Sequence, residues 1–313
     1  MLGKTAGGLF WMFRYLERSE NTARILDAGF RIALTRSATA EDEWTSIVTT
    51  SGMRRSYLGL YDQFNADNVI NFLLRDKNNP SSVVVLSEMA RNNARLVRTA
   101  LTREVWEAVN ENWINLNDAL EKPVRQKELP AILGMIRQQS ALVRGALHGT
   151  MMRNDMFDFS RLGTFIERAD NTARIMDVKY HVLLPSVALV GSSLDNVQWE
   201  TILRSVSALQ SFKWLSGGEL SPKEIADFLI MDKRMPRSLI FCVGKMVTNL
   251  GYIERDYQLE LPCYARARAL KTRLEECSID TIFDEGLHEF LGGFITEVTE
   301  IGRQIETDYR FSS

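Results

Sequence analysis

The stretch YLERSENTARILD, residues 15–27, returns almost intact as FIERADNTARIMD, residues 165–177. Two more landmarks recur in the same order: WTSIV at Trp44 matches WETIL at Trp199, and FLLRDKNNPSS at Phe72 matches FLIMDKRMPRS at Phe228. The copies lie 150, 155 and 156 residues apart, a nearly constant period that indicates a tandem duplication. We therefore predict two repeats, residues 1–154 and 155–313. They are joined without a Gly/Ser/Pro-rich linker, so we expect them to pack as one body with approximate twofold symmetry.

The fold class follows from the spacing of apolar residues. Only seven prolines interrupt 313 residues, and apolar residues recur at intervals of three and four. This pattern predicts an all-α protein, a helical bundle built from the two multi-helix repeats. Each repeat is expected to begin with a long helix, Thr5–Ser37 in the first and Asp155–Leu184 in the second. One or two helices then surround each repeated tryptophan, and another follows each Pro-x-Ser. The next helix starts at Thr102 in the first repeat and near Leu259 in the second, and the last starts at about Lys127 and Asp280.

The composition of the chain argues against several classes of function. The formal net charge of −2 gives no overall attraction to nucleic acid or anionic membrane, and no apolar stretch is long enough to span a bilayer. Three cysteines and three histidines lack the spacing of a metal site, so we expect neither metal nor cofactor. The triplet Gly3-Lys4-Thr5 lacks the strand and upstream glycine of a phosphate-binding loop. These features predict a cytoplasmic protein.

The repeated string places charge on a helix that is apolar nearly all round. Glu17, Asn21 and Arg24 share one helical stripe, with Arg18 beside it. Such a helix is expected to be central and buried, and a buried charge requires a partner. The copy carries the same set, namely Glu167, Arg168, Asn171 and Arg174. If the two helices face each other, Glu17 meets Arg168 or Arg174, and Glu167 meets Arg18 or Arg24.

Two interpretations of this central set remain open. It is either a structural network that fixes how the helices pack, or a ligand or active site on the pseudo-twofold axis. Paired carboxylates are suited to acid–base catalysis, but buried ion pairs also occur without any chemistry.

Two other features are candidate anion sites. Each Asp-Lys turn precedes a helix start, where free N–H groups attract anions, so Lys77 with Ser82 and Lys233 with Ser238 are candidates. The simpler alternative is that the serines cap the helices and the lysines are solvated. In addition, Arg91, Arg95 and Arg98 follow helical spacing and are not repeated in the second half. Such a stripe binds carboxylate or phosphate, or is an ordinary solvated face.

The duplicated Glu-Arg string, the Asp-Lys…Pro-x-Ser turn and the stretch EMARNNARLVRTALTREVWEAVNENW, residues 88–113, resemble the bacterial alpha-E domain family over essentially the whole chain. The resemblance implies that the gene for this protein lies beside the gene for a circularly permuted ATP-grasp ligase, and often beside one for a transglutaminase-like protease. It also implies a role in peptide or amide-bond synthesis or modification. It carries over no catalytic residue. We favour a non-catalytic partner or scaffold of the ligase. The alternatives are an enzyme of amide-bond formation or cleavage using the paired Glu/Arg motifs, or an anionic small-molecule or peptide-binding module.

Overall fold

The structure, a computed structural model, describes residues 3–33, 40–182, 193–217 and 221–311. Within these ranges the chain forms helices and turns and no strand, which confirms the all-α prediction. A 3-10 turn, Arg98–Ala100, lies between two of the α-helices. The α-helices are α1 Gly3–Ala33, α2 Ala40–Thr50, α3 Arg54–Leu58, α4 Ala66–Leu74, α5 Val83–Leu96, α6 Arg103–Ala119, α7 Leu129–Thr150, α8 Asp155–Val182, α9 Ser193–Ser205, α10 Leu209–Ser216, α11 Pro222–Met231, α12 Leu239–Tyr257, α13 Pro262–Glu276, α14 Ile279–Glu285 and α15 Leu287–Asp308.

Helices α1 and α8 carry the repeated strings and lie at the centre of the molecule, packed against each other. Both bury apolar side chains on several faces, as the all-round apolar pattern predicted. Their backbones come close at Gly163, where an added Cβ would lie 2.2 Å from the carbonyl oxygen of Phe10. Helices α5 and α7 also pack on α1, and α12 and α15 pack on α8. The two charged strings therefore face a shared interior.

The predicted helix starts after each Pro-x-Ser, and the one at Thr102, are present. The Oγ of Ser82 accepts a hydrogen bond from the N–H of Val85, and the Oγ of Ser238 accepts one from Phe241. Thr102 caps α6 in the same way. Side-chain acceptors of this kind satisfy N–H groups that have no partner within the helix.

One helix prediction is wrong. We expected a single long helix from Asp280, but α14 ends at Glu285 and α15 begins at Leu287. Gly286 separates them with a φ of 107°, which lies outside the helical region and is accessible mainly to glycine. The predicted ends of the first helix and of its copy, Ser37 and Leu184, lie outside the described residues.

The division into repeats at residues 154 and 155 stays a prediction, although α8 does begin at Asp155. Helices from the two predicted repeats interleave: α8 packs on α1 and α2, and α9 packs on α1. Within the described ranges, no helix combines the length and the apolar character needed to cross a membrane.

Candidate functional site

The two inner helices exchange ion pairs. Arg168 donates to Glu17 through Nε at 2.9 Å and Nη2 at 3.0 Å. Arg18 donates to Glu167 through Nε at 3.0 Å and Nη2 at 2.5 Å. Both arginines use the two-pronged geometry that binds a carboxylate most strongly. The predicted meeting of Glu17 with Arg168, and of Glu167 with Arg18, is present in the structure.

The second arginine of each string pairs with an acid on its own helix, although Arg24 also donates to the backbone oxygen of Ser205 at 2.8 Å. Arg24 donates to Glu20 at 3.0 and 2.7 Å, one helical turn away. Arg174 pairs with Asp170 in the same way, at 2.7 and 3.1 Å. These two arginines therefore do not take the cross-helix role that we considered for them. Instead they neutralise a second acid in each string.

Sequence reasoning missed five members of the network, namely Asp170, described above, and Glu20, Arg14, Arg144 and Arg237. Glu20 is completely buried in the string itself, although we did not single it out. Arg237 donates to Glu17 at 3.1 Å and to Glu20 at 2.7 Å. Arg144, on α7, also reaches both carboxylates, and Arg14 donates to Glu167 at 2.7 Å. One signal was available in the sequence, because the repeat aligns buried Arg237 with Ser81 in the first half.

The network is not balanced between its two sides. Around Glu17 and Glu20, two carboxylates accept from four arginines, which are Arg24, Arg144, Arg168 and Arg237. Around Glu167 and Asp170, two carboxylates accept from three, which are Arg14, Arg18 and Arg174. Arg14 also lies 3.8 Å from a carboxylate oxygen of Glu306, so the acids and arginines on this side are equal in number. The excess of positive charge lies on the Glu17 side.

The electrostatics keep the motif carboxylates ionised. Burial disfavours the charged form of Glu17, but Arg168, Arg237 and Arg144 together outweigh it and hold the pKa of Glu17 well below its usual range. Burial acts in the same direction on Glu167, and Arg18 and Arg14 overcome it, lowering the pKa of Glu167 to about 2. A carboxylate with such a low pKa is a weak base and carries no proton to donate at neutral pH. The arrangement favours the structural interpretation of the Glu-Arg strings.

The two motif asparagines differ. Asn21 donates from Nδ2 to the backbone oxygen of Glu167 at 3.1 Å. Asn171 is equally buried, yet neither its Oδ1 nor its Nδ2 has a hydrogen-bond partner among the described residues. It lines a cavity of about 330 Å³ on the Glu167 side, together with Arg18, Asp170 and Arg174. Residues of both repeated strings line this polar cavity, including Asn21 and Asn171.

The structure does not gather the candidate residues of the Asp-Lys turns into a site. Ser82 and Ser238 act as helix caps, as the simpler alternative held. Lys77 is exposed, and Lys233 is exposed and pairs with Glu275 at 2.7 Å.

The predicted stripe of Arg91, Arg95 and Arg98 on one helix is wrong. Helix α5 ends at Leu96, and Arg98 falls in the following 3-10 turn. The guanidinium of Arg91 stacks on Trp113 at 4.1 Å from the ring centre, and that of Arg98 lies 5.5 Å from the ring centre of Trp106. Two of the three arginines thus cover aromatic side chains, an arrangement that stabilises the surface. Arg95 and Arg98 are both exposed, and Arg91 is half-buried.

A metal centre is not evident in the part of the chain that the structure describes. No three His, Cys, Asp or Glu side chains there are grouped so that they could hold a metal ion. Cys242 and Cys263 are buried, and burial raises the pKa of the Cys242 thiol to about 12, which keeps it protonated and unreactive.

Comparison with known proteins identifies the family of this chain. Neither the curated proteins nor the solved structures contain a significant match to this chain. A family model described as a predicted alpha-helical domain with a conserved ER motif matches residues 1–309. The helical architecture and the two Glu-Arg pairs at 17–18 and 167–168 agree with that description. Since the match covers almost the whole chain, the protein belongs to the Alpha-E family.

Proposed function

We propose that this protein is a non-catalytic partner or scaffold of an ATP-grasp-type amide or peptide ligase system in the bacterial cytoplasm. One observation carries the proposal: both motif glutamates are enclosed by arginines from other parts of the chain. The Glu-Arg pairs thereby join the two inner helices, as a scaffold requires. The partner follows from the family resemblance, which implies a circularly permuted ATP-grasp ligase and a transglutaminase-like protease.

The competing proposal makes the Glu-Arg pairs the acid–base groups of an amide-forming or amide-cleaving enzyme. Such a group needs a pKa near the working pH and contact with the substrate. Glu17 and Glu167 are 2% and 4% exposed, and their oxygens are occupied by guanidinium donors. The same geometry serves a structural role without any further requirement.

The test combines binding with turnover. The protein is mixed with the ATP-grasp ligase encoded beside it, complex formation is followed by size-exclusion chromatography with light scattering, and ATP-dependent amide formation is measured with and without the protein. We expect a stable complex, or faster turnover by the ligase. If neither the ligase nor the neighbouring protease associates with the protein and ligase turnover is unchanged, the proposal is overturned.

Glu17→Gln separates the two proposals. If Glu17 is structural, the variant should unfold at a lower temperature, and any stimulation of the ligase per folded molecule should be unchanged. A catalytic glutamate predicts normal stability with loss of turnover. Glu107→Gln, at a largely exposed ion pair with Arg103, is the control for removal of one carboxylate.

A further inference from the structure

We infer that a cavity between α7 and α8 binds a small oxyanion, a carboxylate or phosphate group, through Arg144, Arg161 and Arg168. This site lies outside the residues that the sequence singled out for anion binding, apart from Arg168 of the central network. The inference goes beyond the proposed function, because it concerns the isolated protein and its test requires no ligase.

The lining of the cavity is cationic and apolar. The volume is about 280 Å³, and no acidic side chain of the described residues lines it. Helix α7 contributes Arg144 and His148, and α8 contributes Arg161 and Arg168, with Phe165 on the apolar wall. The space suits a phosphate or a small carboxylic acid better than a nucleotide.

Among the described residues, ion pairs do not balance the positive charge around the cavity. Arg144 and Arg168 reach inward to Glu17, but the neighbouring carboxylates also accept from Arg24 and Arg237. Buried arginines in excess over acids raise the free energy of the folded state unless an anion balances them. A bound oxyanion supplies that balance.

Arg161 is the clearest case. Among the described residues it has no carboxylate within ion-pair distance. Burial lowers the pKa of Arg161, and the nearby charge of Arg168 lowers it further. Asp158 is an acid that acts on Arg161 from beyond ion-pair distance. Burial raises the pKa of Asp158 to about 6, so it is ionised at pH 7, but it lines a second cavity next to Arg161 and not this one.

The surroundings of Arg161 fix where its guanidinium points. The group lies 4.8 Å from the ring centre of Phe165, and its Nη1 is 3.3 Å from Nε2 of His148. Burial and the charge of Arg161 lower the pKa of His148, so that the ring is neutral at pH 7 and Nε2 can accept the hydrogen bond. A guanidinium held in this way is prepared to bind an oxyanion with two parallel N–H donors.

The first experiment measures anion binding by calorimetry and by thermal unfolding at constant ionic strength. Sodium phosphate and sodium succinate are the probes, and each replaces sodium chloride so that the ionic strength stays constant. We expect a saturable rise in Tm of a few degrees with at least one probe. Arg161→Gln should weaken that binding about tenfold or more. Arg103→Gln, which removes the same charge at an exposed position on α6, should bind as the wild type does.

Each outcome of this experiment is informative. A response to phosphate alone assigns a phosphoryl ligand, a response to succinate alone assigns a carboxylate, and a response to both assigns a general oxyanion site. No response to either probe, or an equal response in Arg161→Gln, would overturn the inference.

A second experiment places the anion within the protein itself. Gly145 lines the cavity, and a Cβ built there would meet nothing within 4 Å. Gly145→Glu should therefore carry a carboxylate toward Arg161, raise Tm in the absence of anions and abolish the response to the probes. Gly145→Ala controls for the better helix propensity of a non-glycine residue and should keep the response. If Gly145→Glu is no more stable than Gly145→Ala and still responds, the site is not there.

Discussion

At the scale of single residues, Glu167 is held by two arginines of the opposite inner helix, Arg14 and Arg18. Replacing it by glutamine keeps its size but leaves Arg18 with no ion-paired carboxylate among the described residues, and leaves Arg14 with only the more distant Glu306, at 3.8 Å. Removal of one partner from a buried pair is costly, because the remaining charge stays desolvated. The structure therefore makes this residue sensitive to a change that alters only its charge.

We predict that Glu167→Gln lowers the free energy of unfolding by about 3 kcal/mol, the lower end of the range for broken buried pairs, since Arg18 is partly exposed. Urea denaturation followed by circular dichroism measures the loss. Glu107→Gln, at an exposed pair on α6, should change the stability by no more than about 0.5 kcal/mol. Similar losses in both variants would contradict a structural role for the buried pair.

The same residue gives a pH dependence of known sign. The pKa of Glu167 is about 2 in the folded protein and about 4.3 in an unfolded chain. A lowered folded-state pKa contributes stability that is complete above about pH 5 and is lost as the pH falls toward 2. We predict a difference of about 3 kcal/mol between wild type and Glu167→Gln at pH 7 that shrinks steadily between pH 5 and pH 2. Urea titrations at several pH values would show it, and a constant difference would refute it.

At the scale of helices, Gly286 determines where α14 stops and α15 begins. Its φ of 107° is accessible mainly to glycine, and an added Cβ would lie 2.1 Å from Oε2 of Glu289. We predict that Gly286→Ala lowers stability by about 1–3 kcal/mol. Gly292→Ala, inside α15 with no atom within 4 Å of the new Cβ, should raise it by about 0.5–1 kcal/mol. Chemical denaturation measures the stability of both variants. If both substitutions changed the stability in the same direction, the role of Gly286 in separating α14 from α15 would be contradicted.

The sequence predicts the inner helices and their pairing for a physical reason. Glu17 and Arg168 lie on helices that are apolar nearly all round, and buried charges need partners of opposite sign. The repeated strings therefore predicted that the acid of one helix pairs with an arginine of the other. The same reasoning could not find Arg144, because α7 carries no repeated motif to mark it. Nor could it find the end of α5 before Arg98, since helical spacing continues through the residues where the backbone leaves the helix.

Function was less accessible to sequence reasoning than fold. The cavity between α7 and α8 depends on residues such as Gly145 and Arg161, each ordinary in its local sequence. Gly145 matters because open space surrounds it, and Arg161 matters because no carboxylate of the described residues lies within ion-pair distance of it. Such properties arise only once distant helices are brought together.

At the scale of the whole molecule, the ion pairs join the two predicted repeats. We predict that the polypeptide 1–154 alone does not fold cooperatively, because Glu17 and Glu20 then lose Arg168 and Arg237. Circular dichroism and thermal denaturation of residues 1–154 and 155–313, separately and co-expressed, measure this. The co-expressed pair should regain a single cooperative transition. A cooperative, native-like transition in either piece alone would contradict the prediction.

The long sequence separation within the central network has a consequence for biosynthesis. Arg168 follows Glu17 by 151 residues, and Arg237 follows it by 220. At about 5–20 residues per second, the ribosome completes Arg237 roughly 10–40 s after Glu17. During that interval α5 and α7 are available to pack on α1, but the face of α1 that packs on α8 and α9 is still uncovered. We therefore expect this face to be a binding site for chaperones that act near the exit tunnel.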